Sequence, residues 1–341
     1  MSDVWGFRDL VVERAANLRP LGFTERQARF LVTVMLHSGV FIERQYCRFA
    51  GITHGQKTHD FIDRLIGRGF ARKLRPGALH RGHLYHVHHK RLYALVGQID
   101  NRNRRRAPLG RMIERLMLLD AVLDDGEFMW LSTEADKSRY FLLRLAEYRF
   151  ERRDLPHLTF GSGASQTLRL FPDKFPIGVD PIGDRHVFTY LVTRSTPVDF
   201  RAFLLRHFTM LKPLHKWTLR LLVPERFEKA IPVYRHAARE ELATPLHPSD
   251  ADELRWLFEQ RKLASAEAAF VPDRRFVDVA KQFSAPRFKV LYRLWLHYGN
   301  DVLWNTYSTL LVEKFDRGLA SVEFIVLSRQ YLHLTHLVGV A

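Results

Sequence analysis

The polar residues that could do chemistry in this chain fall into a few groups. His54, Gln56, Lys57, His59 and Arg64 mix cations with amide and imidazole side chains. Cations hold phosphates, whereas amides and imidazoles can read base edges. Arg72, Lys73, Arg75, Arg81 and His83 form a second basic group, and Arg102, Arg104, Arg105 and Arg106 form a third. Histidines crowd positions 80 to 89, at His80, His83, His86, His88 and His89. Zinc wants three or four converging ligands, usually with Cys or acid support, and this run has neither. It is read as contacting phosphate, with a pH dependence that imidazole titration would bring. Asp173 and Asp180 alone make a poor metal site. Gly161-Ser-Gly-Ala-Ser165 lacks the last Gly of a nucleophile elbow and reads as a loop. Walker A and Gly-x-Gly-x-x-Gly signatures are missing. No catalytic residue, metal or cofactor is expected, and the chain is read as a non-enzyme.

The elements that must position the basic groups follow from periodicity. Thr24 to Ser38 is an apolar-periodic helix opened by a good N-cap and stopped at Gly39. Glu43 to Ala50 is a short helix ending at Gly51. A third runs from His54 to Gly67, with Thr58, Phe61, Ile62, Leu65 and Ile66 along one side. Residues 69–74 and 82–87 read as two strands, with residues 75–81 as the hairpin tip. Three helices followed by a basic hairpin resemble a winged helix-turn-helix domain. That resemblance implies a third helix in the major groove and a wing on the DNA backbone. Asp63-Arg-Leu-Ile-Gly-Arg-Gly-Phe-Ala-Arg-Lys73 is similar to the end of the recognition helix in MarR-like winged helices. By that analogy Leu65 and Phe70 pack inward, Gly69 permits the exit, and Arg72 and Lys73 begin the wing.

Charge points the same way. The net charge is +16, from 53 basic and 37 acidic residues. Residues 1–106 hold 20 basic and 8 acidic side chains, against 33 and 29 in the remaining 235. The excess therefore sits on the N-terminal region, where a polyanion would release counterions on binding. A single cysteine, Cys47, excludes an internal disulfide, suits the cytoplasm and is read as a small buried residue. The first ten residues carry acids and no long apolar run, so they are not read as a signal peptide. No segment approaches the roughly 20 apolar residues that span a bilayer.

Asn101 to Leu109 is read as an arm on DNA or a linker. Beyond it, Leu109–Leu123 is an amphipathic helix with Met112, Leu116, Leu119 and Leu123 on one face. Strands are expected at 127–131, 167–171, 186–192, 217–223 and 322–327, and helices at 133–148, 199–211, 228–242, 249–263 and 288–298. Pro172-Asp173, the strand from His186 and the element order resemble the PD-(D/E)xK nuclease core and the replication-relaxation family. In that family a winged helix precedes a nuclease-like sheet domain. The strand here carries neither the acid nor the Lys of an active member, so the resemblance implies a degenerate copy.

The sequence thus predicts an α+β protein with a winged-helix DNA-binding domain at 1–100 and a basic arm or linker at 101–107. An α/β sheet domain at 108–224 and a mostly helical part at 225–341 follow. The expected function is sequence-specific binding of double-stranded DNA by a cytoplasmic, homodimeric transcriptional regulator. Residues 108–341 are read as setting the oligomeric state or contacting a protein partner. The alternatives are a replication, transfer or recombination factor of a mobile element, a nuclease using Asp173 and Asp180, and a protein-binding scaffold.

Overall fold

A computed structural model describes residues 11–74, 83–161, 167–266, 270–306, 308–329 and 331. Helices and strands are mixed along the chain, which divides into two compact units. The first takes the described residues of Met1–Thr133, Phe175–Gly183 and Leu327–Ala341, and the second those of Glu134–Lys174 and Asp184–Val326.

Helix α1 (11–16) precedes α2 (Glu25–His37) in the first unit. Thr24 caps α2: its side chain accepts from the Gln27 amide at 3.3 Å, and the Gln27 side chain accepts from the Thr24 amide at 3.1 Å. This reciprocal box satisfies two of the amides that a helix start leaves without partners. Ala28, Leu31, Val34 and Met35 then bury one face. The chain turns at Gly39, whose φ is 72°, and a Cβ there would collide with the Asn103 carbonyl.

Strand β1 (Val40–Ile42), α3 (Glu43–Ala50), α4 (Gln56–Gly67), β2 (Ala71–Leu74) and β3 (Leu84–Val87) follow. β3 lies between β1 and β2, antiparallel to both, and every one of its residues is buried. Aromatic rings fill the space beneath. Tyr46 and Phe61 stack with centroids 4.2 Å apart, and Phe30 meets Phe41 edge-on at 5.3 Å. Leu65 and Phe70 join this core, and Gly69 turns the chain out of α4 with φ 66°. Ile66 departs from the sequence reading and is exposed. It lies in the last turn of α4, past Leu65, where the chain leaves toward β2.

After α5 (Lys90–Leu95) comes a tight turn at Arg102–Arg104. Asn103 is buried, and its amide donates to the carbonyls of Met35 and Leu36, both at 3.0 Å. Those carbonyls end α2 and have no helical donor of their own. The stretch expected to be an arm or linker is therefore packed into the first unit. Helix α6 (Leu109–Asp124) packs on α2, α3 and β1, so residue 108 is not a boundary between the units. Its face of Met112, Leu116 and Leu119 needs cover, and the N-terminal helices supply it. Strand β4 (Met129–Leu131) closes this part of the chain.

The second unit opens with α7 (Glu134–Arg144) and the antiparallel pair β5 (His157–Phe160) and β6 (Thr167–Leu170). Strand β7 (Ile177–Val179) returns to the first unit and pairs antiparallel with β4. Then β8 (Arg185–Leu191), α8 (Val198–Leu211) and β9 (Lys216–Val223) build a parallel β-α-β unit. Phe200, Phe203, Leu204 and Phe208 of α8 are buried, as their helical spacing predicts. Helices α9 (Ile231–Leu242), α10 (Pro248–Ala266), α11 (Arg274–Gln282), α12 (Pro286–Tyr298), α13 (Asp301–Thr306) and α14 (Leu310–Asp316) lead to β10 (Ala320–Val326). β10 runs parallel to β9 on the side away from β8. The stretch from 225 onward therefore shares its sheet with the region before it. Among the described residues no helix is long and apolar enough to cross a membrane.

Candidate functional site

Helix α4 separates its residues cleanly by face. Thr58, Phe61, Ile62 and Leu65 are buried, whereas Gln56, Lys57, His59, Asp60 and Asp63 are exposed. Thr58 secures the inner side, with its hydroxyl 3.2 Å from the Cys47 sulfur. Cys47 is itself buried and free. The helix begins at Gln56, so His54 stands in the turn before it. Gln56 donates to Asp60 at 2.6 Å along the outer face. Arg64 is half-exposed and donates to the Gly22 carbonyl at 2.7 Å, and Arg68 donates to that of Leu21. Both arginines thus hold the loop before α2, and sequence reasoning passed over Arg68.

Arg72 and Lys73 of β2 and His83, just before β3, are exposed, while Arg75 and Arg81 lie outside the described residues. His86 is buried on β3 and bonds the Asn103 carbonyl at 3.0 Å through Nε2. Burial pushes its pKa down, the bond to Asn103 opposes this, and Arg115, Arg72 and Arg106 add to the lowering. Arginines from β2, α6 and the 102–106 run thus share one positive neighbourhood. Arg102, Arg105 and Arg106 are exposed, and half-exposed Arg104 donates to the Ile99 carbonyl at 3.0 Å. Of the histidines after 82, His86 bonds Asn103 with the His88 ring 5.8 Å away, and His89 lies against the Phe70 ring at 5.2 Å. His80 and residues 162–165 of the Gly-Ser loop lie outside the described residues.

A different set does converge. Glu43 opens α3, and α3 is fixed by the buried side chain of Gln45, which donates to Asp120 at 3.0 Å and to the Leu116 carbonyl at 3.1 Å. Glu43 Oε2 lies 2.6 Å from His54 Nε2, and the His54 and His59 rings meet edge-on at 4.9 Å. One ligand atom from each of Glu43, His54 and His59 lies within 4.8 Å of the others. Tyr85 of β3 donates to the second Glu43 oxygen at 2.5 Å. Burial raises the Glu43 pKa, but the bonds from Tyr85 and His54 outweigh it and hold the carboxyl below its ordinary value. The sequence signal here was the His54-x4-His59 spacing. Glu43 and Tyr85 are too distant along the chain to have been joined to it.

The second unit treats its titratable groups differently. Asp173 accepts from Arg206 of α8 at 2.7 Å, and both side chains are largely buried. The next residue, His207, is buried and bonds the Phe203 carbonyl one turn back at 2.7 Å through Nδ1. Burial lowers its pKa to about 4, against the opposing charge of Asp173. Buried Lys137 of α7 places its ammonium 5.4 Å from the Phe171 ring centroid. Strand β8 carries no carboxylate and no lysine. Asp180 falls in the first unit.

Comparison of the chain with known protein families, curated proteins and solved structures finds no match.

Proposed function

We propose that the first unit contains a winged-helix domain that binds double-stranded DNA, and that the protein is a transcriptional regulator. The observation that carries this reading is helix α4, anchored by Thr58, Phe61, Ile62 and Leu65 and offering Gln56, Lys57 and His59 outward. Around it, α2, α3 and α4 are followed by the antiparallel strands β2 and β3, the order of elements that the resemblance implies. The balance of +12 over residues 1–106 supplies the electrostatic attraction. In this reading Gln56, His59 and His54 face base edges. Lys57, Arg72, Lys73 and His83 hold phosphates, and Arg102, Arg105 and Arg106 extend the positive face. Arg64 supports the helix more than it contacts DNA, because its guanidinium serves Gly22. A homodimer on two half-sites and a cytoplasmic location belong to the same proposal. Nuclease activity is disfavoured, since Asp173 is neutralised by Arg206 and β8 lacks the acid and lysine.

The test is selection from fragmented source DNA, with the bound pieces sequenced. It is repeated on a variant with Lys57, Arg72 and Lys73 all changed to Ala. The wild type is expected to enrich a discrete, roughly symmetric site that the variant loses. The salt dependence should weaken by about one counterion for each phosphate contact removed. Weak, unselective binding by both proteins would end the DNA reading.

A further inference from the structure

We propose that Glu43, His54 and His59 form a binding site for a divalent transition metal ion of the zinc class. Three neighbouring elements supply the ligands: the first residue of α3, the turn before α4, and the single histidine of α4. Their ligand atoms lie within 4.8 Å of one another. A tetrahedral ion with bonds of about 2.1 Å wants its ligands roughly 3.4 Å apart. His54 and His59 are exposed, which leaves their rings room to turn toward that spacing.

Two imidazoles with one carboxylate suit a borderline ion, whereas calcium and magnesium favour oxygen alone. The His54-x4-His59 spacing lies within the range that paired zinc histidines use. Tyr85 acts as an outer partner. By donating to Glu43 Oε1 at 2.5 Å it orients the carboxylate so that Oε2 faces the histidines. The His54 and His59 rings meet edge-on at 4.9 Å beside the Glu43 carboxylate, so one ion can reach all three side chains. Three protein ligands leave a fourth position for water or an exchangeable group.

This inference does not depend on the DNA reading and is measured without nucleic acid, so either can fail alone. The full chain is stripped with a chelator. It is then titrated with Zn2+ against a competing indicator, and with Co2+, whose visible absorption reports its coordination. The wild type is expected to bind one equivalent and to give a saturable cobalt spectrum. His54→Ala, His59→Ala and Glu43→Gln should each weaken binding by about tenfold or more, and Tyr85→Phe by about tenfold to a hundredfold. His236→Ala, which removes an exposed histidine paired with Glu240, should change nothing. The cobalt spectrum of the wild type tests the site without any variant. No saturable equivalent in the wild type, or full affinity in both His54→Ala and His59→Ala, would overturn the proposal.

Discussion

In the first unit, His54 and His59 stand exposed beside a carboxylate that Tyr85 steers toward them. In the second, His207 is sealed in the core and Asp173 is taken by Arg206. The residue types are nearly the same in both places. What differs is the histidines' access to water, and whether an arginine already neutralises the carboxylate. Where solvent reaches the groups, the cost of keeping them charged is low and they remain open to a ligand. Where the core closes over them, a charge persists only if an internal partner neutralises it, as Arg206 does for Asp173. The second arrangement stabilises one packing, and the first keeps chemistry available.

Breaking the closed set should have the larger effect. Arg206→Met is expected to destabilise the protein by about 3–5 kcal/mol, because it strands the Asp173 carboxylate in a poorly solvated place. Urea denaturation of the second unit measures it. A loss below about 1 kcal/mol would mean that Asp173 is far better hydrated than its burial implies.

Acid should be felt next. The unfolded chain takes a proton on His207 near pH 6.5, but the folded chain does so only near pH 4. Between those values the unfolded state binds more protons, so falling pH favours it. The stability due to neutral His207 is whole above pH 6.5 and lost as pH drops toward 4. The total is on the order of 3 kcal/mol. Denaturation curves across that window should show a slope that His207→Phe flattens. An unchanged slope in the variant would detach this histidine from the acid response.

Smallest of all should be the effect of Glu43→Gln in metal-free solution. Glu43 is about as buried as Asp173, but glutamine keeps an acceptor for Tyr85, so the change should cost only about 1 kcal/mol. A much larger loss would show that Glu43 is a structural strut of α3, and the contrast between the two regions would narrow.

Much of the fold is legible in the order of residues. The capping box at Thr24, the stop at Gly39 and the stripe of Thr58, Phe61, Ile62 and Leu65 are local, since helix energetics couple residues three or four apart. The strands at β8, β9 and β10 announce themselves by their apolar, β-branched and aromatic runs. The crowding of positive charge into residues 1–106 is a property of composition alone. Strand β1 was not legible, because three residues become a strand only when β3 pairs with them. Nor was the fate of the arginine run, which depends on one asparagine reaching the end of α2.

By itself, then, the sequence determined where helices start and stop, which of their faces are apolar, and where the positive charge lies. Each of these is decided by neighbours within a turn or two of the chain. Tertiary structure decided that residues 175–183 belong with the N-terminal unit, that Arg206 meets Asp173, and that Glu43 meets His54 and His59. Those meetings join residues far apart along the chain. Their energy comes from packing and charge contacts that exist only once the core has formed, so no local pattern records them.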